Sequence, residues 1–114
     1  MIELIDLTKY FRNKRAVDGI TITVSKGTLF GFLGPNGAGK TTTLKMMAGV
    51  LKPTRGRVII GGKDLSAEPA AVKGNMAFIP DHPFLYEKLT ALEFLHFIAD
   101  LYALEKTTSL AREI

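Results

Sequence analysis

Residues 34–41 read Gly-Pro-Asn-Gly-Ala-Gly-Lys-Thr, a G-x-x-x-x-G-K-[ST] run that dictates what can stand on either side of it. A loop of this kind wraps an anion with inward-turned backbone N–H groups, which needs positive φ angles and no obstructing side chains at Gly34, Gly37 and Gly39. It also needs a strand before it and a helix after it. Residues 28–33 (Thr-Leu-Phe-Gly-Phe-Leu) form a short apolar run suited to a buried strand, and residues 42–51 (Thr-Thr-Leu-Lys-Met-Met-Ala-Gly-Val-Leu) carry helical spacing. Strand, loop and helix in that order predict an α/β protein that binds a polyphosphate. The glycine spacing does not match the G-x-G-x-x-G of dinucleotide-binding folds, which removes that alternative.

Each remaining residue type in the run has a chemical reason. Lys40 offers a compact, mobile ammonium to the β- and γ-phosphates, and Thr41 offers a hydroxyl oxygen to a magnesium ion. Thr42 and Thr43 open a helix whose unpaired N–H groups and positive dipole end face the anion, with Thr42 placed to donate a further hydrogen bond.

Composition narrows the rest. With 46% hydrophobic and 23% charged residues the chain is expected to be globular rather than disordered. The absence of cysteine removes disulfides, thiolate metal sites and thiol catalysis, and agrees with a reducing compartment. Its longest hydrophobic stretch, residues 89–104, is interrupted by Glu93, His96 and Asp100, so no membrane span is expected. The first residues, Met-Ile-Glu-Leu-Ile-Asp, carry acids where a secretory signal carries bases, so export is not expected. The net charge of +4 is spread along the chain rather than gathered in one tract, so nucleic acid is not expected as a partner. His82 and His96 are too few and too far apart for a metal site.

Around the loop the hydrophobic pattern predicts further elements. Residues 2–7 and 19–24 alternate as half-buried strands, and residues 57–60, followed by Gly61-Gly62, read as a strand able to pair antiparallel with them. Residues 67–73 form a short helical candidate with Pro69 in its first turn, and residues 75–79 read as a short apolar strand halted by Pro80. Thr90-Ala91-Leu92-Glu93 is a capping box that starts an amphipathic helix carrying Leu92, Leu95, Phe97, Ile98, Leu101 and Tyr102.

Taken in order, Leu-Thr-Lys-Tyr-Phe at 7–11, Ala-Val-Asp-Gly-Ile at 16–20, the glycine loop through Thr42, Lys-Pro-Thr-Arg-Gly at 52–56 and Phe-Ile-Pro-Asp-His-Pro-Phe-Leu-Tyr-Glu-Lys-Leu-Thr at 78–90 resemble the N-terminal half of an ABC transporter ATP-binding subunit. The resemblance covers nearly the whole chain. It implies a P-loop NTPase core with an antiparallel β-subdomain, truncated before the rest of the helical subdomain. Residues 1–114 are then a partial ATP-binding domain, with the phosphate loop at 34–42, a Q-loop region at 79–83 and the start of the helical subdomain at about 84–114.

By position, the resemblance places ATP and Mg2+ on Gly34, Pro35, Asn36, Gly37, Ala38, Gly39, Lys40, Thr41 and Thr42. It places the adenine-stacking ring on Phe11, with Tyr10 as the neighbouring candidate, and a base and ribose contact on Val17. The Q-loop glutamine falls on Asp81, a departure: aspartate can approach magnesium or the attacking water, but it is shorter and anionic. Lys40 and Asp81 would serve the chemistry, and Thr41 and Asp81 the metal. Pro83-Phe84-Leu85-Tyr86 marks the expected contact with a transmembrane transporter subunit, which would hold the protein at the cytoplasmic face of the membrane. A second ATP-binding subunit is expected as a dimer partner.

The resemblance also shows what these residues lack. The sequence contains no h-h-h-h-D-E strand and no Leu-Ser-Gly-Gly-Gln signature, and the switch histidine has no counterpart. Phosphoryl transfer depends on all those parts together, so the chain alone is expected to bind ATP with little turnover. The alternative is a nucleotide-binding fragment or docking module without catalysis. A GTPase is disfavoured because Asn13-Lys14 is followed by Arg15-Ala16 rather than completing Asn-Lys-x-Asp.

Overall fold

The computed structural model describes residues 1–83 and 85–102. Two compact units succeed one another, the first Met1–Phe78 and the second beginning at Ile79.

In the first unit, β1 (Ile2–Phe11) and β2 (Lys14–Val24) form an antiparallel hairpin, longer than the alternating runs that announced it. The link is the two residues Arg12 and Asn13, and Arg12 takes the positive φ of 51° that a tight hairpin turn needs at its first position. The helix after the glycine loop, α1, spans Lys40–Met47. It starts before the expected Thr42 and stops before the expected Leu51, because Gly49 adopts φ 65° and caps the carbonyl end, with its N–H on Met46 O at 3.1 Å. Next, β3 (Arg55–Ile60) pairs antiparallel with β1, and Gly61-Gly62, both left-handed, turn it into the two-residue β4 (Lys63–Asp64). The short helix α2 (Pro69–Lys73) follows, with Pro69 opening it.

The sheet order is β2-β1-β3-β4. Leu4, Leu7, Val17 and Val58 from the strands close with Met46, Leu65 and Val72 into one apolar core. A bulge at Asp6 interrupts β1 in both of its ladders. Asp6 stands at φ 49°, and its carboxylate holds Arg55 at 2.5 Å. Gly56, at φ 87°, lies so close that an added Cβ would fall on the Asp6 carbonyl. Buried Thr8 completes the knot by accepting the Gly19 N–H at 3.0 Å.

Two expected strands do not form. Residues 28–33 and 75–79 belong to no ladder of the described sheet. Phe30 and Phe32 line an apolar cavity of about 250 Å³ with Ile2, Ile22, Leu44 and Met47, while Leu29 is 100% and Leu33 93% exposed. Residues 28–33 therefore alternate their faces as a strand does, without burial on both sides. No described strand offers them backbone partners, and a doubly buried strand needs them.

In the second unit, α3 (Ala91–Leu101) begins at the capping box. The Glu93 carboxylate accepts from the Thr90 N–H and hydroxyl, both at 2.8 Å, and Thr90 accepts from the Glu93 N–H at 3.3 Å. Tyr86 packs edge-on against Phe97, with ring centroids 5.6 Å apart. None of the residues of α3 is buried. Phe84 and the expected continuation at 103–114 lie outside the described residues.

Candidate phosphate-binding groove

The glycine loop is held by its own geometry. Gly37 and Gly39 take φ 83° and 85°, the left-handed values expected of them. Gly39 is also constrained by space: a Cβ there would strike the Ala16 carbonyl oxygen and sit 3.1 Å from Val17 Cγ2, so only glycine lets the loop lie on β2. Gly34 differs from expectation. It is not left-handed, and an added Cβ would meet Ala38 and Lys40 only at ordinary contact distance, 3.6 and 3.8 Å.

At the start of α1 the N–H of Thr43 bonds Gly39 O at 2.8 Å, so the N–H groups of residues 40–42 are the donors left over at the helix start. No acidic residue sits in this first turn to compete for them. The Lys40 ammonium folds back over the loop, donating to Gly34 O and, at 2.6 Å, to Pro35 O. The Ala38 N–H also bonds Pro35 O, at 3.2 Å. The loop is thus closed around its lysine. An entering anion would exchange neutral carbonyl acceptors for charged ones, which form the stronger bonds.

This loop is one wall of a groove of about 330 Å³, lined by Asn36, Gly37, Gly39, Lys40, Thr41 and Thr42 on one side and by Phe11, Lys14 and Ala16 on the other. The volume lies within the range of about 300–1,000 Å³ typical of small-molecule sites. A larger cavity of about 700 Å³, with Met1, Leu44, Met47, Ile60 and Phe78 among its walls, is mainly apolar and does not include the loop.

The β1–β2 register decides between the two aromatic candidates. Phe11 stands opposite Lys14, and Tyr10 opposite Arg15. Paired residues share a face and successive residues alternate, so Phe11, Lys14 and Ala16 come together at the groove while Tyr10 does not line it. Phe11 is 47% exposed, and the Lys9 ammonium lies 5.4 Å from its ring centroid while bonding Lys52 O at 2.7 Å. Val17, expected as a base and ribose contact, is not among the residues lining the groove, although its Cγ2 lies against Gly39 of the loop. Its side chain is 3% exposed and belongs to the core, one residue out of phase with the groove-facing Ala16.

Asp81 belongs to the second unit, exposed in a bend. Among the described residues no three His, Cys, Asp or Glu side chains cluster as a metal cage. Mg2+ does not need one, since it keeps several waters and binds through substrate phosphates with one or two protein oxygens. The exposed Thr41 hydroxyl at the groove suits that mode. Lys14 and Ala16 were not expected at the site. Their signal was the two-residue turn at Arg12-Asn13, which sets what stands opposite Phe11, but without Asn-Gly or Asp-Gly there the sequence left the turn unmarked.

Comparison with known proteins places these features in a family context. A family profile described as ABC transporter matches residues 17–113. The uncharacterized ABC transporter ATP-binding protein YcbN of Bacillus subtilis is 44% identical over 89 residues, which span 78% of this chain and 29% of the relative. A solved ATP-binding subunit of an ABC transporter shares the fold at TM-score 0.83 and 35% identity, over 92% of this chain and 44% of that one. A dimeric bacterial ABC transporter cassette matches at TM-score 0.80 and 25% identity, over 98% of this chain and 52% of that one. The chain therefore spans about half or less of each of these three proteins.

Proposed function

The chain belongs to the ABC transporter family of ATP-binding proteins, and on that premise we propose that it binds Mg-ATP in the groove between Phe11 and residues 36–42, as the nucleotide-binding part of a transporter that couples ATP binding and hydrolysis to passage across a membrane. One observation carries this reading: a half-exposed aromatic ring and a lysine-closed, anion-ready loop face the same groove. The adenine stacks on Phe11, and the polyphosphate runs toward the free N–H groups of residues 40–42. Lys40 leaves the Gly34 and Pro35 carbonyls for the terminal phosphates. Thr41 would hold Mg2+ through its hydroxyl, and the ion would supply positive charge against the phosphates. Asp81, at the Q-loop position, would offer a carboxylate oxygen to the metal or the attacking water.

A transmembrane subunit docks on residues 83–86, of which Leu85 and Tyr86 are exposed, while Phe84 is outside the described residues. A second ATP-binding subunit completes the working dimer at the cytoplasmic face of the membrane. No described helix is long and apolar enough to cross that membrane. For these 114 residues by themselves the proposed activity is ATP capture without steady turnover, because the acidic strand and signature on which hydrolysis depends are not in the sequence.

Titration calorimetry with Mg-ATP tests this. A bond from a charged group contributes about 1.5–3 kcal/mol, so Lys40→Ala is expected to lower affinity roughly 10- to 150-fold. Unchanged affinity would remove Lys40 from the site. Steady phosphate release by the purified chain, lost in Lys40→Ala, would overturn the assignment of capture without turnover.

A further inference from the structure

Lys14 stands apart from the other cations near the groove. Lys40 is bonded to the Gly34 and Pro35 carbonyls, Lys9 to Lys52 O, and Arg15 to Asp18 at 2.9 Å. The Lys14 ammonium, among the described residues, makes no hydrogen bond or ion pair, and no acidic residue lines the groove it faces. The turn at Arg12-Asn13 sets it directly across from Phe11, so the two side chains rise from one face, about 5 Å apart at their Cβ atoms.

We propose that Lys14 is a second phosphate-contacting residue of this groove, engaging the phosphate nearest the nucleoside while Lys40 and the loop hold the far end. The inference rests on the nucleotide reading above. A purine stacked on Phe11 brings its ribose and first phosphate within reach of a flexible four-carbon stem rooted in the adjoining strand. The hairpin wall otherwise supplies only an aromatic ring and Ala16 there, and neither neutralises an anion. An exposed lysine with no competing partner meets that need without first breaking a bond, unlike Lys40. The hairpin wall then recognises any adenine nucleotide from the monophosphate up, and the loop wall adds preference for the longer chains.

The test is calorimetric titration of the purified chain with AMP, ADP, ATP and adenosine. Lys14→Met keeps the stem and removes the charge. At an exposed site this is expected to weaken AMP, ADP and ATP alike by about two- to fivefold and leave adenosine unchanged. Lys14→Arg should restore the three affinities. Arg12→Asn removes a like charge from the same hairpin turn outside the groove lining and should leave all four ligands unaffected. The proposal is overturned by wild-type affinities in Lys14→Met, by a loss confined to ATP, by an equal loss for adenosine, or by an equal loss in Arg12→Asn. A wild-type chain that binds no ATP would overturn the nucleotide reading itself, a separate result from any of these.

Discussion

β1 and residues 28–33 both send alternate side chains to opposite faces, yet they meet different fates. β1 is hydrogen-bonded along both edges, by β2 and β3, and its Leu7 is 0% exposed. Residues 28–33 have apolar side chains at least as large, no ladder, and Leu29 wholly in solvent. The difference is in partners rather than in apolar content. Backbone groups that find no ladder must stay wet, and a segment kept wet cannot bury both faces.

The strongest way to break this contrast is to truncate one leucine from each segment. Leu7→Ala is expected to cost about 2–5 kcal/mol in urea unfolding, as a void opens in the core. Leu29→Ala should stay within about 0.5 kcal/mol of wild type, as exposed substitutions do. A comparable loss at Leu29 would mean that residues 28–33 are packed in solution.

A smaller effect probes why β1 can pair on both sides despite its bulge. Gly56→Ala forces a side chain onto φ 87° and against the Asp6 carbonyl, and is expected to cost about 1–3 kcal/mol. If the unfolding midpoint does not move, the close approach at Asp6 is not what sustains the β1–β3 ladder.

The smallest effect extends the contrast to α3, a helix with no buried residue, whose definition comes from its cap. Hydrogen bonds from the Thr90 backbone and hydroxyl hold the Glu93 carboxyl below its ordinary value of 4.5. Because the folded value is the lower one, the cap's contribution is complete above the ordinary glutamate range and is lost as pH falls through the depressed value. Amide exchange at Phe94, which bonds Thr90 O at 2.9 Å, should lose protection selectively on acidification below about pH 4.5. Glu93→Gln should flatten that dependence; an unchanged profile would shift the support of α3 to packing.

Much of the local structure in both units was legible in the chain. The two early alternating runs, the strand at 57–60, Pro69 at the head of a short helix and the capping box at Thr90 all appear where their local chemistry points. Boundaries moved where a single residue intervened, as when Gly49 stopped α1. The bulge at Asp6 was not legible. It depends on Arg55 and Gly56, far along the chain, and nothing in Ile-Asp-Leu marks it.

By itself the sequence determined the glycine loop, the lysine that follows it and the cap of α3, because left-handed φ preferences and hydrogen bonds across a few residues are settled locally. Only the tertiary structure decided that residues 28–33 lie without a ladder, that Gly39 must admit the Ala16 carbonyl, and that Phe11 and Lys14 rather than Tyr10 and Val17 line the groove. Those outcomes turn on register and on which distant segment supplies a partner, and a shift of one residue in a strand exchanges its two faces entirely.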